Sequence, residues 1–353
     1  MIKVWKGLIN HYKNYLPVSN DQKIITLNEG NTPLIKADWL NKNYGFELYF
    51  KFEGANPSGS FKDRGMTLAV TKAIEEKSKA IICASTGNTS ASAAAYGARS
   101  GLKTFVVVPK AKIAKGKLSQ ALIYGAKIIP VKGNFDKALE IVRKLTEKNA
   151  LTLVNSLNPY RIEGQKTAAF EIADQLQGNK FDILALPVGN AGNITAYWRG
   201  FKEYYDKNII NYLPKMYGFQ ATGSAAMVKD KTIENPETIA TAIRIGNPVN
   251  RDKAKKAMQE SDGLFNSLKD NEIKEAHHLL ASKEGVFVEP ASATPVAGLI
   301  KIYKENKNAL INKKIVAVLT GNGLKDQEFV LDNYSIPNSI EGEFKTVEEF
   351  INI

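Results

Sequence analysis

At 353 residues the chain exceeds the ~250 to 300 at which a single core stops growing, so two domains sharing a cleft are expected. A composition of 44% hydrophobic and 24% charged residues excludes wholesale disorder, and no apolar run approaches the ~18 residues of a membrane span. The formal charge of +12 admits anionic ligands, but most lysines alternate with acids, as in Glu75, Glu76, Lys77 and Lys79, and the densest basic stretch, Lys110, Lys112, Lys115 and Lys117, lacks interleaved aromatics, so no nucleic-acid partner is expected.

The start, MIKVWKGLINHYKNYL, has no apolar signal core, which gives the expectation of a soluble cytoplasmic protein without membrane association. One cysteine, Cys83 in AIICAS, precludes an internal disulfide and a cysteine metal cluster, and suits a buried apolar position. No metal site is expected.

In chain order, the hexapeptide SFKDRG (60–65) places Lys62 at the start of a helix whose Met66, Ala69, Val70, Ala73 and Ile74 recur at core-facing spacing. A lysine near a bound phosphate and a positive helix end is expected to have a lowered pKa and an accessible neutral amine. Asp63 and Arg64 suggest a local ion pair. A strand at 80–83 then runs into STGNTSAS (85–92), where Ser85, Thr86, Thr89 and Ser90 form an anion nest or an ordinary N-cap cluster, with Asn88 able to meet a ring oxygen. Strands follow at 104–108, 127–131 and 151–154, with a helix behind an Asn134 cap between the last two.

The stretch NSLNPYR (155–161) punctuates the pattern and marks the passage between two α/β halves. After a strand at 181–186, VGNAGN (188–193) turns into a helix, and Gly189 and Gly192 allow backbone N–H groups to converge on an oxyanion. Further strands at 216–220 and 314–319 complete the set, and TGNG (320–323) puts Thr320 at a strand's carboxyl end, where open α/β sheets bind ligands. In VEPASA (288–293), Glu289 either orders one side of the cleft or caps a helix. His11, His277 and His278 fall outside every motif and suit structural positions. An acidic segment, EGEFKTVEEF, closes the chain as a peripheral helix or tail.

Each segment alone is compatible with a plain turn or cap. Together, one lysine, an anion cradle and two loops of hydroxyls and amides are what an aldehyde cofactor bearing a phosphate requires, and pyridoxal 5′-phosphate is that cofactor. The expected fold class is α/β, two three-layer domains with mostly parallel sheets and the site in the cleft between them. The expected division is an N-terminal segment (1–40) on the large domain, a smaller domain (41–154) carrying the lysine, a large domain (155–335) carrying the phosphate loop, and a tail (336–353).

On these residues the chain resembles the fold-type II pyridoxal-phosphate enzymes, from NEGNTPL (28–34) to TGNGLKD (320–326). PSGSFKDRG, STGNTSAS, VNSLNPYR and VEPASA make it similar to the threonine synthases of the shorter form. The resemblance implies Lys62 as the Schiff-base and catalytic lysine, Asn88 at the cofactor 3′-oxygen, Gly189, Asn190, Ala191, Gly192 and Asn193 as phosphate cradle, and Thr320 at the pyridine nitrogen. It implies a substrate site of Ser85, Thr86, Thr89, Asn155, Ser156, Arg161 and Asn190, conversion of O-phospho-L-homoserine and water to L-threonine and phosphate, and a homodimer. Only residues 1–27 precede NEGNTPL, so regulation by S-adenosylmethionine, which goes with a long N-terminal extension, is not expected. A threonine or serine dehydratase and a non-catalytic cofactor-binding regulator stay open as alternatives. Relatives that dehydrate usually carry a histidine after the asparagine of the SxGN loop, where this chain has Thr89.

Overall fold

Strands buried on both faces of a parallel sheet require continuous apolar runs, and helices between them must cover those faces. The computed structural model, which describes residues 4–110, 115–133, 135–336 and 338–351, builds two such sheets. In chain order come α1 (Leu8–His11), β1 (Leu34–Lys36), α2 (Asp38–Tyr44), β2 (Glu47–Phe52), α3 (Lys62–Glu75), β3 (Ala80–Ala84), α4 (Asn88–Ser100), β4 (Lys103–Pro109), α5 (Lys115–Ile123), β5 (Lys127–Val131), α6 (Phe135–Lys148) and β6 (Leu151–Leu153). Then follow α7 (Pro159–Gln175), β7 (Ile183–Pro187), α8 (Gly192–Asp206), β8 (Lys215–Ala221), α9 (Arg251–Glu260), β9 (Leu264–Leu268), α10 (Asp270–Glu284), α11 (Pro290–Glu305), β10 (Lys314–Leu319), α12 (Gln327–Asn333) and α13 (Phe344–Ile351).

One sheet has the order β5-β4-β3-β6 and is wholly parallel. The other runs β1-β2-β10-β7-β8-β9, parallel except for β1 at its edge. Every residue of β3 and β7 is buried, as central strands demand. In the six-stranded sheet, Leu184, Leu186, Val316 and Val318 face α7, α8 and the N-terminal segment, while Ile183, Ala185, Ile315 and Ala317 face α10 and α11. Helices α3, α4 and α5 cover one face of the smaller sheet, and α6 covers the other through Ala138 and Val142. The α/β class with mostly parallel sheets is borne out, and all seven expected strands are present within one or two residues of their expected ends.

Three strands, β1, β2 and β9, have no counterpart in the sequence reading. Strand β2, whose residues fall in the stretch 41–154 read as the smaller domain, is hydrogen-bonded into the six-stranded sheet through β10. The proposed Asn134 cap and Lys112 lie outside the described residues. No helix among the described residues is long and apolar enough to cross a membrane.

Arg64 does not pair with Asp63. Its Nε donates to Glu53 Oε2 at 2.6 Å, its Nη1 to Glu171 Oε1 at 2.7 Å, and its Nη2 to Glu53 Oε1 at 2.8 Å and Glu171 Oε2 at 2.7 Å. Lys51 Nζ donates to Glu171 Oε2 at 2.9 Å and to Thr32 O and Gln175 Oε1 at 2.8 Å each. Two cations and two carboxylates thus neutralise each other in the interior and join β2, α3, α7 and the NEGNTPL segment.

Candidate active site

Lys62 is the first residue of α3 and is pinned from behind. Phe61 N donates to Thr320 O at 3.0 Å, and Ser60 forms an isolated bridge with Gly321, so SFKDRG rests on the carboxyl end of β10. Asp63 is fully buried and accepts from Ser58 N at 2.6 Å, Ser58 Oγ at 2.5 Å and Ser92 Oγ at 2.6 Å, which fixes the turn before the lysine. Burial raises the Asp63 carboxyl to about 6, against the pull of those three bonds. Lys62 is partly exposed, and its Nζ lies 4.1 Å from the centre of the Phe61 ring. Burial of the amine lowers its pKa to about 7; the Arg161 guanidinium lowers it further and Glu289 opposes. The depression therefore comes mainly from desolvation. An anion close to this amine works the opposite way, by favouring its charged form.

Asn88 begins α4. Its Nδ2 donates to both Glu289 oxygens at 3.0 Å, across 201 residues of sequence. Glu289 sits at the head of α11, where its N–H donates to Gly321 O at 3.1 Å and its buried carboxyl is raised, mainly by burial and against the Asn88 bond. A Cβ on Gly321 would lie 2.5 Å from that carboxyl, so only glycine admits this contact. Ser85 Oγ accepts from Gly87 N at 3.2 Å and Ser90 N at 3.3 Å, which caps its own loop. The N–H groups of Asn88 and Thr89 open the helix and have no acceptor within it.

Thr86, Thr89 and Ser156 are partly exposed and make no side-chain hydrogen bond among the described residues. Asn155 exchanges two 2.9 Å bonds with the backbone of Ala84, so its amide clamps the end of β3. Arg161, in the first turn of α7, is 1% exposed; Nη1 donates to Val154 O at 2.6 Å, and Nε has no protein partner among the described residues. Burial lowers its pKa to about 10.

At the carboxyl end of β7, Ala191 takes a left-handed φ of 61° at the head of α8, a conformation that costs a non-glycine residue ~1 kcal/mol and turns the loop back over the helix terminus. Asn190 O accepts from Asn250 N at 3.2 Å and Nδ2 at 3.3 Å. A Cβ on Gly189 would lie 3.1 Å from Ile243 Cα, and one on Gly192 3.3 Å from Asn250 Nδ2. Asn193 is buried, and its Nδ2 has no partner among the described residues. Thr320 is buried with its hydroxyl 3.0 Å from Ser292 Oγ, a pair in which either oxygen can donate, and Ser292 Oγ accepts from Gly321 N at 2.9 Å.

A family model described as pyridoxal-phosphate dependent enzyme matches residues 25–321. The chain belongs to this pyridoxal-phosphate dependent enzyme family. A threonine synthase of Halalkalibacterium halodurans is 58% identical over 334 residues, covering 94% of this chain and 93% of the relative. One from Methanocaldococcus jannaschii is 51% identical over 361 residues, covering 99% and 87%. The crystal structure of a fungal L-serine ammonia-lyase from Rhizomucor miehei (TM-score 0.74, 21% identity, 89% of this chain and 100% of that one covered) and the structure of maize serine racemase (0.74, 20%, 86% and 91%) share the fold.

Pyridoxal phosphate is the cofactor of the family, and the residues present fit it. Asn193 Nδ2, without a partner among the described residues, is a buried donor suited to an anion beside the crowded glycines of the same loop, burial lowers the pKa of the Lys62 amine to about 7, and Thr320 offers a buried hydroxyl. The sequence reading left Glu289 with two possible uses and did not single out Ser292. The helix-start motif VEPASA was the signal available for both, and a cap would explain that motif equally well.

Proposed function

We infer that this chain converts O-phospho-L-homoserine and water to L-threonine and inorganic phosphate, using pyridoxal phosphate. The observation that carries the reading is the Lys62 amine, desolvated beside Arg161 and Glu289, in a chain 51–58% identical to threonine synthases over most of its length. On this reading Lys62 takes the cofactor's aldehyde, residues 189–193 hold its phosphate, Asn88 meets its 3′-oxygen and Thr320 its pyridine nitrogen. When bound, the cofactor supplies an electron sink conjugated with the substrate's amino group, which acidifies the Cα–H and then the Cβ–H.

Lys62, whose pKa burial lowers to about 7, accepts the Cα proton and returns it at the end of the cycle. Thr320 would meet the pyridine nitrogen with a neutral hydroxyl, which cannot protonate it as a carboxylic acid would, and so would leave more of the proton chemistry to the placed amine. Arg161 carries the guanidinium whose fork matches a phosphate, a group that a dehydratase substrate lacks. Ser85, Thr86, Thr89, Asn155, Ser156 and Asn190 complete the substrate set in this reading. In sum the Cγ–O bond to phosphate and one Cβ–H bond break, water's oxygen bonds to Cβ, Cγ gains a proton and Cα regains its own, so one water enters and one phosphate leaves. A cytoplasmic homodimer belongs to the same reading, and light scattering on the loaded protein checks the assembly.

Purified protein given O-phospho-L-homoserine is expected to release phosphate and L-threonine in equal amounts. Lys62→Ala is expected to lose roughly 10³-fold or more in rate and the visible absorbance that marks the cofactor joined to a lysine. Production of a 2-oxo acid from threonine or serine, with no phosphate released from phosphohomoserine, would replace this reading with a dehydratase.

A further inference from the structure

Apart from the Arg64 ties of α3, two polar contacts reach from the segments flanking β10 and α11 to α4 and α5, which cover the four-stranded sheet. The first is the Glu289–Asn88 contact, from the head of α11 to the head of α4. The second is Lys325, in the turn Gly323–Asp326 that follows β10. Its Nζ donates to Ser58 O at 2.7 Å and to Gln120 Oε1 on α5. Ser58 also supplies the N–H and hydroxyl that hold Asp63, so Lys325 grips both the turn leading into Lys62 and a helix of the smaller sheet. The stem of Lys325 packs on Gly59, whose φ of +82° is a backbone conformation that side chains rarely adopt; a Cβ there would sit 3.2 Å from Lys325 Cδ, a tight contact.

A partly buried ammonium is favourable only while its acceptors are in place. Two carboxyls, Glu289 and Asp63, face it from α11 and α3. Opening the cleft would separate Lys325 from Gln120 and Glu289 from Asn88 together, because each tie has one end on either side.

We propose that Lys325 is a positioning residue, which together with Glu289 clasps α4 and α5 onto the end of β10 and sets how far the four-stranded sheet closes over Lys62. The inference rests on the reading of Lys62 as the reacting amine. It also gives the conspicuous lysine of TGNGLKD a purpose that a plain turn would not require.

Hydrogen exchange on the full chain loaded with pyridoxal phosphate tests it, with K325M, K325R and Q120A beside the wild type. K325M and Q120A are expected to speed exchange about tenfold in α4 and α5, while α7 and β7 keep wild-type protection. K325R, which keeps a charged donor, is expected to recover most of that protection, and kcat for phosphate release should follow the same order. Q120A alters a partly exposed position and carries the test if K325M fails to fold. Wild-type exchange in α4 and α5 of both variants, or acceleration spread evenly through α7 and β7, would overturn the clasp. Failure of the wild type to release phosphate would sink the functional reading and leave the exchange result to stand or fall separately.

Discussion

At position 62 the chemistry is set by what surrounds the amine more than by any single partner. The sequence reading expected a helix end and a bound phosphate to lower its pKa. In the fold, desolvation lowers it first and Arg161 second, with Glu289 pulling the other way. The sign of the linkage follows. The unfolded chain binds this proton up to pH ~10.4 and the folded one only to about 7, so the buried amine costs stability below pH 7 and the cost fades as pH rises between those values. Cofactor-free protein is therefore expected to gain on the order of 1–2 kcal/mol from pH 7 to 9, after discounting for the partial exposure of the side chain, relative to Lys62→Met. Denaturation curves at the two pH values check this, and equal pH slopes for both proteins would refute it. The Glu289–Asn88 contact was not legible for a related reason: local pattern carries no record of a partner 201 residues away.

Among the elements, those with long apolar runs were legible. Strands β3, β7 and β10 are buried on both faces and announce themselves by composition. Strand β2 did not, because ELYFKF carries Lys51 into the interior, where its acceptors Thr32, Glu171 and Gln175 come from other segments. Strand β9 is a partly exposed edge with the polar residues Asn266 and Ser267. The crossing of α3 over α7 was equally invisible, since it depends on two glycines from separate segments. A Cβ on Gly164 would lie 2.0 Å from Arg64 O, and one on Gly65 2.6 Å from Arg161 Nε. Gly164→Ala must push the two helices apart, so it is expected to destabilise the protein by about 1–3 kcal/mol or more. Because Lys62 heads α3 and Arg161 lies in α7, the same substitution should weaken cofactor binding, measured by titration of the visible absorbance.

Across the whole molecule, the interior quartet Lys51, Glu53, Arg64 and Glu171 joins segments that lie far apart in sequence. Burial alone would raise the Glu171 carboxyl, but Arg64 and Lys51 overcome it and hold it well below the ordinary range. Its contribution is complete above the unfolded value of 4.5 and is lost as pH falls through the depressed one. Glu171→Ala leaves two buried cations under-compensated and is expected to cost about 3–5 kcal/mol in urea denaturation. Removing Glu140, whose partners Lys137 and Lys144 are exposed, should change little. The sheet order has a consequence for biogenesis. Strand β10 (Lys314–Leu319) is wedged between β2 and β7, so a growing polypeptide holds two raw sheet edges apart until residue 319 has left the ribosome, whereas the sheet of β3 to β6 is complete by residue 153. The later the stall in translation before that point, the more adhesive surface the newborn chain presents to chaperones and to its neighbours.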